Sequence, residues 1–119
     1  MGINTNIEKK DGYIHFKIEG EYPGLQILNG IDQILEAANK YQINNILLDI
    51  RNLEYSLSSI DSFNIGEYIA KTYSDKLIKI ACLRDKYKED DFTEIVAINR
   101  GANFHLFNDE NNAINWLKD

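Results

Sequence analysis

The stretch ILLDI at residues 46–50 indicates the kind of sheet that this chain builds. Its residues are apolar except for Asp49. A strand with one solvated face alternates apolar and polar side chains, whereas a strand inside a parallel sheet is covered on both faces and is apolar throughout. Residues 46–50 therefore predict a central strand, with Asp49 close to its carboxyl end.

Before this strand, the sequence predicts a hairpin and a helix. Residues 13–19 alternate between polar and apolar side chains, as a half-buried strand requires. The dipeptide Asp11-Gly12 signals a tight turn, so residues 3–8 are predicted to pair with this strand. After Pro23-Gly24, apolar residues recur at helical spacing and predict an amphipathic helix to about residue 41. Its predicted stripe is Ile27, Leu28, Ile31, Ile34, Leu35 and Ala38.

After the central strand, helices and strands alternate. Ser58 and Asp61 have the spacing of a capping box, which predicts a helix start. The strands that follow are predicted at residues 78–83 and 103–107, with a helix from Asp90 to Gly101 between them. Asn108 or Asp109 is predicted to cap a last short helix. The buried stripe predicted for the helix after Ser58 is Ile60, Phe63, Ile69, Ala70 and Tyr73.

These elements predict an α/β fold of order ββαβαβαβα in a single domain over residues 1–119. Strands that alternate with helices favour a mostly parallel sheet, here five-stranded with an N-terminal hairpin. Alternate residues of a strand point to opposite faces of the sheet, and in these strands one alternate set carries mainly polar side chains. This polar parity predicts that the helices lie mainly on one face of the sheet and leave the other face partly open. The residues of that parity are Tyr13, His15, Lys17, Lys79, Ala81 and His105.

The composition narrows the classes of partner and compartment. The formal net charge is −6, with no basic cluster, so we expect no binding to nucleic acid. The longest apolar stretches are too short to span a bilayer, and the N-terminus has no secretory apolar region, so no membrane insertion is expected. The single cysteine, Cys82, lies in a strand-like run and is interpreted as a small buried hydrophobe. A cytoplasmic location fits these features.

Candidate site residues follow the predicted strands. In parallel sheets, ligands bind beyond the carboxyl ends of the strands, and Asp49, Arg51, Arg84 and Asp85 could converge there. In the structural alternative, Asp49 bonds to amides of its own loop and the arginines pair with acids. The two histidines, on strands predicted at opposite ends of the sheet, are interpreted as solvated strand residues. The sequence shows no metal-ligand spacing and no cofactor fingerprint, so no metal and no cofactor are expected.

Four motifs carry a resemblance to a known family: ILLDIRNLE at 46–54, FNIGEYIAK at 63–71, KIACL at 79–83, and the segment from residue 97 to 117. With them the chain resembles the SpoIIAA-like, or STAS-like, family of small bacterial domains, named after sulfate transporters and anti-sigma-factor antagonists. The resemblance implies a (βα) superhelix used for docking proteins and, in lipid-transfer relatives, for holding a hydrophobic ligand.

The resemblance also singles out a serine. In the antagonist branch, a serine that follows an aspartate at the start of the helix after the central strand is phosphorylated, which breaks a complex with an anti-sigma kinase. Ile60-Asp61-Ser62 matches this motif, and Ser62 is therefore a candidate phosphorylation site. The loop from Arg51 to Leu57 is longer than the antagonist loop, and the capping box would place Ser62 inside the first helical turn.

Three functions are compatible with these observations. The first is a non-catalytic interaction or regulatory domain that docks a partner protein or a second copy of itself. The second is a binder of a small apolar or lipid-like ligand between sheet and helices. The third, a hydrolase or transferase using Asp49, Ser58 or Ser59, lacks a base near either serine. The residues expected to line a partner or ligand surface are Asp49, Arg51, Ser58, Ser59, Asp61, Ser62, Arg84 and Asp85.

Overall fold

The computed structural model describes residues 4–22, 27–55, 59–73, 78–84 and 103–119. The predicted helix from Asp90 to Gly101 lies outside these residues, as do Ser58 and Asp85. The strands are β1 (Asn4–Lys9), β2 (Ile14–Tyr22), β3 (Asn45–Asp49), β4 (Leu53–Tyr55), β5 (Lys79–Leu83) and β6 (Asn103–Phe107). The helices are α1 (Ile27–Tyr41), α2 (Ser59–Tyr73) and α3 (Glu110–Lys118).

The sheet has the predicted mixed topology. Five strands follow the order β1-β2-β3-β5-β6. β1 and β2 pair antiparallel as the predicted hairpin, and β2, β3, β5 and β6 run parallel to one another. The turn of the hairpin contains Gly12, whose φ of 87° is the left-handed conformation that glycine adopts without strain. The prediction of a mostly parallel five-stranded sheet with an N-terminal hairpin is therefore confirmed.

A sixth strand was not predicted. Residues 53–55, expected to be part of a loop, form β4, which pairs in parallel with residues 20–22 at the end of β2. The chain turns sharply after β3, with the amide of Leu53 donating to the carbonyl of Ile50 at 3.1 Å. Leu53 is only 2% exposed, and burial of this side chain holds the short strand against the fold.

Two apolar clusters lie on opposite faces of the sheet. Core one combines side chains of α1 and α2 with one face of the strands, and core two combines α3 with the other face. β3 contributes to both, because Ile46 belongs to core one and Leu47 to core two. The prediction of a strand covered on both faces, drawn from the continuous apolar run, is therefore confirmed. Core two consists of Leu47, Ala81, Leu83, Ala113 and Leu117.

The second sheet face is more covered than the strand pattern predicted. α1 and α2 share one face, as expected, but α3 packs on the polar-parity face against β3, β5 and β6. Ala81 is fully buried there, and His105 packs against Trp116 with 4.8 Å between the ring centroids. The prediction of a partly open face holds over β1 and β2, where Lys17 keeps about a third of its side chain exposed.

The predicted buried stripe of α2 is wrong at its first position. Ile69 and Ala70 are buried and Phe63 is half-buried, but Ile60 is 72% exposed. Nine residues separate Ile60 from Ile69, which is about two and a half helical turns, so the two side chains lie on opposite sides of the helix. Ile65, four residues before Ile69, is buried in its place.

Candidate functional site

Asp49 is the last residue of β3 and is the buried polar residue around which the candidate site is built. Its side chain is 1% exposed. Alternation along β3 directs Asp49 to the same face as Leu47, toward core two. A carboxylate is costly to bury unless hydrogen bonds and an opposite charge compensate it, so its partners define the chemistry of this site.

Arg51 supplies most of the hydrogen bonds to Asp49. Its Nε donates to Oδ1 at 3.0 Å and its Nη2 donates to Oδ2 at 2.8 Å, a two-point pairing of guanidinium and carboxylate. The backbone amide of Arg51 also donates to Oδ1 at 3.2 Å. These contacts match the structural alternative for Asp49, in which it bonds to an amide of its own loop and an arginine pairs with an acid.

His15 of β2 provides one more hydrogen bond to the carboxylate of Asp49. Its Nε2 lies 3.1 Å from Oδ2 of Asp49, and its side chain is 17% exposed. An ionised carboxylate only accepts hydrogen bonds, so Nε2 carries the proton in this contact. The interpretation of His15 as a solvated strand residue is therefore wrong. The sequence places His15 and Asp49 on separate strands, and only the register, with His15 opposite Leu47, brings them together.

Arg51 also links this cluster to the C-terminal helix. Its Nη2 lies 3.2 Å from Oε1 of Glu110, the first residue of α3. The start of that helix is capped as predicted by Asp109, whose carboxylate accepts from the amide of Asn112 at 3.0 Å. We call His15, Asp49, Arg51 and Glu110 the Asp49 cluster. It connects β2, β3, the turn before β4 and the first turn of α3.

The electrostatics of the cluster favour an ionised Asp49. Burial by itself raises the pKa of this carboxyl, but hydrogen bonds from the side chain and amide of Arg51 and from His15, with the charge of Arg51, outweigh burial and lower the pKa from 3.8 to about 2. The same pairing with Asp49, reinforced by Glu110, raises the pKa of Arg51 against the opposing effect of burial. Asp49 is thus a fixed anion at neutral pH.

This arrangement organises structure more readily than it transfers protons. Both oxygens of Asp49 accept hydrogen bonds from protein groups, and a carboxyl with a pKa of about 2 is a weak base near neutral pH. Within the described ranges, no group of three or more His, Cys, Asp or Glu residues is placed to hold a metal ion. Among the described helices, none is long and apolar enough to cross a membrane.

Comparison with solved structures identifies the fold. An anti-sigma factor antagonist from Mycobacterium paratuberculosis superposes with a TM-score of 0.67 at 16% sequence identity, covering 99% of this chain and 96% of the other. An uncharacterised protein of the DUF3478 family from Shewanella loihica, described as having a SpoIIAA-like fold, gives 0.57 at 25% identity, with coverages of 98% and 93%. The chain has the SpoIIAA-like fold. The unphosphorylated form of the anti-sigma factor antagonist SpoIIAA itself gives 0.52 at 11% identity, with coverages of 97% and 98%.

No protein-family model matches the sequence, and no curated protein does. The resemblance inferred from the sequence motifs is confirmed at the level of the SpoIIAA-like fold.

The remaining candidate residues of this SpoIIAA-like domain fall in two places. Arg84 follows β5, the neighbour of β3, and its amide donates to the carbonyl of Phe107 at 3.0 Å. Ser59, Asp61 and Ser62 are the first, third and fourth residues of α2, so Ser62 lies in the first helical turn, as the capping box predicted. The structure therefore joins Asp49 directly to Arg51. The serines and Asp61 form a second group of candidate residues, at the start of α2.

Proposed function

We propose that this SpoIIAA-like domain is a non-catalytic regulatory domain that docks a partner protein at the start of α2. The observation that carries the proposal is Ile60, a large apolar side chain that is 72% exposed in the first turn of that helix. A partner that covered Ile60 would remove this apolar side chain from water, which favours association. Two proteins with the same fold are described as anti-sigma factor antagonists, which favours a protein as the partner.

The Asp49 cluster has a supporting role in this proposal. Arg51 belongs to the connection that leads from β3 toward α2, and its pairing with Asp49 and Glu110 anchors that connection to the sheet and to α3. A docking helix needs a rigid base, because ordering a loose one on binding costs free energy. We place this role in the cytoplasm, as expected from the single cysteine.

The two other functions have less support. For an apolar ligand, the space between α1, α2 and the sheet would have to open, whereas Phe16, Ile34 and Ile80 pack there with at most 2% exposure. For a hydrolase or transferase, Asp49 would have to act as a base while both of its oxygens are occupied by Arg51 and His15. Both functions remain predictions of the sequence.

A pull-down with matched variants tests the docking surface. The wild-type protein is to be compared with Ile60→Glu and Ile7→Glu, each of which changes one exposed isoleucine, the first on α2 and the second on β1. A partner that docks at α2 is retained by wild type and by Ile7→Glu and is reduced at least tenfold by Ile60→Glu, since a charge at the centre of an apolar contact is costly. Identical partner sets for all three proteins would contradict the proposal.

The candidate phosphorylation site is tested in the same assay. A phosphate on Ser62 would add about −1.5 to −2 charges to the first turn of α2, beside Asp61. We expect Ser62→Asp to weaken capture of the partner and Ser62→Ala to leave it unchanged. Equal capture by both variants would remove the switch while leaving the docking surface in place.

A further inference from the structure

The outer edge of β1 is a second surface available for contact. Every residue of β1 is exposed, and in the part of the chain that the structure describes this strand pairs only with β2. Half of the N–H and C=O groups of such a strand point away from its neighbour, where they can pair with a further strand. Long exposed edges are usually blunted by charges, so the side chains of β1 decide which strand could be added.

One apolar side chain stands out on this edge. Ile7 lies at the middle of β1 and is 40% exposed. Its partner in the register of the hairpin is Phe16, a fully buried residue of core one. An added strand that presented an apolar side chain opposite Ile7 would therefore lengthen the apolar face of the sheet by one more strand.

The sequence of β1 is complementary to itself in one register. When two copies pair antiparallel about a two-fold axis, the residue on the axis faces itself, and its neighbours face each other. With Ile7 on the axis, Asn6 faces Glu8 and Thr5 faces Lys9, so no like charges are opposed. A shift of one residue toward the C-terminus opposes two copies of Glu8, which is destabilising, and a shift toward the N-terminus pairs Ile7 with Thr5.

We propose that β1 is a dimerisation edge, at which two copies of this chain pair antiparallel with Ile7 on the two-fold axis. The charges of β1 permit a second copy of the chain to pair there. The chain carries a formal net charge of −6, which opposes self-association in general, but Glu8 and Lys9 cancel within β1. One strand per copy is a small interface compared with the roughly 800 Å² per partner of a stable complex, so the dimer is weak and concentration-dependent.

Sedimentation equilibrium between about 1 µM and 1 mM tests the dimer, a range that covers weak association. Wild type shifts from monomer to dimer with rising concentration. Ile7→Lys opposes two cations across the axis and stays monomeric over the whole range, while the matched variant Ile60→Lys dimerises like wild type. A wild-type protein that is monomeric throughout would overturn the proposal, and so would a dimer that Ile7→Lys leaves unchanged.

Cysteine cross-linking tests the register and avoids adding a charge. Residues directly opposite each other on antiparallel strands are close enough for a disulfide. In the proposed register, Ile7→Cys cross-links to its own copy under mild oxidation. Lys9→Cys does not, because four residues of offset separate the two copies of position 9 by about 13 Å along the strands. Cross-linking of Lys9→Cys but not of Ile7→Cys overturns the register.

The two proposals fail separately. The docking surface depends on the start of α2 and is lost in Ile60→Glu, whereas the dimer depends on β1 and is lost in Ile7→Lys. A protein that keeps its partner and never dimerises contradicts only the inference about β1.

Discussion

Asp49 shows how this fold retains a buried charge. The carboxylate is 1% exposed, yet it receives hydrogen bonds from two side chains and one amide. Buried ion pairs contribute less to stability than their number of contacts suggests, because both charges lose hydration. Removing one partner is costly, since it leaves the other charge uncompensated. The cluster therefore acts mainly by specifying one arrangement of β2, the turn after β3 and α3.

This environment predicts a pH dependence of stability. The ordinary pKa of an aspartate carboxyl is 3.8, and in the folded protein the pKa of Asp49 is lowered to about 2. A lowered folded-state pKa stabilises the protein above pH 4, and this stabilisation, about 2 kcal/mol, is lost as the pH falls from about 4 to about 2. Urea unfolding of wild type and Asp49→Asn should show a difference in free energy of unfolding that is largest at pH 7 and shrinks toward pH 3.

The control for this measurement is Glu8→Gln. Glu8 pairs with Lys10 at the surface at 3.3 Å, and exposed pairs contribute between about 0 and 1 kcal/mol. Its difference from wild type should stay small at every pH. A gap between wild type and Asp49→Asn that is constant from pH 7 to pH 3 would mean that Asp49 does not ionise with the lowered pKa.

Only part of the Asp49 cluster could be predicted from the sequence. Asp49 and Arg51 lie two residues apart at the end of an apolar run, and a short loop brings them together without further information. His15 and Glu110 lie 34 and 61 positions from Asp49 along the chain, and their approach depends on strand register and on the face that α3 covers. Neither feature follows from local periodicity.

At the scale of elements, the end of α1 depends on a residue in an unfavourable conformation. Gln42 follows the helix with a φ of 57°, in the left-handed region. The amide of Ile43 then donates to the carbonyl of Ala38 at 3.2 Å, the six-to-one bond of a Schellman motif. Glycine is the usual residue at this position because it has no Cβ to clash there.

Substitutions at Gln42 should measure that strain. Gln42→Ala and Gln42→Gly both lose the 2.8 Å bond from Nε2 of Gln42 to the carbonyl of Asn39, so their difference isolates the backbone. We expect the glycine variant to be more stable than the alanine variant by about 1 kcal/mol in urea unfolding. An alanine variant at position 42 that is as stable as the glycine variant would contradict the assigned φ of Gln42.

Gly12→Ala is a companion variant in the turn of the hairpin. An added Cβ at this position meets nothing within 4 Å, so the expected loss of about 1 kcal/mol in the free energy of unfolding also comes from the backbone.

Elements with strong periodicity were predicted well, and short or tertiary-dependent ones were not. The stripe of α1 is confirmed at Ile31, Ile34 and Ala38, because regular spacing over several helical turns averages out local exceptions. β4 has three residues, too few for a pattern, and forms because Leu53 reaches core one. Ile60 was misplaced because a helix phase cannot be assigned from its first turn alone.

At the scale of the molecule, the described residues form a sheet between two apolar cores that share their central strands. In β5, Ile80 and Cys82 belong to core one while Ala81 and Leu83 belong to core two. A loss of packing on either face therefore acts on the same backbone. We expect the two faces to unfold together, although α3 is only nine residues long and would be unstable alone.

Leu117→Ala tests this coupling. Leu117 of α3 is 1% exposed in core two, and truncating a buried leucine to alanine costs about 2–5 kcal/mol. The single tryptophan, Trp116, packs against His105 and Phe107 and reports on this face by fluorescence, while far-UV circular dichroism reports on all elements. In thermal unfolding, both signals should fall together in wild type and in Leu117→Ala, at a midpoint about 10 °C lower in the variant.

The control is Ile60→Ala, which changes an exposed position and should melt within about 2 °C of wild type. Fluorescence that melts well before circular dichroism in Leu117→Ala would show instead that α3 detaches locally and that the cores are independent.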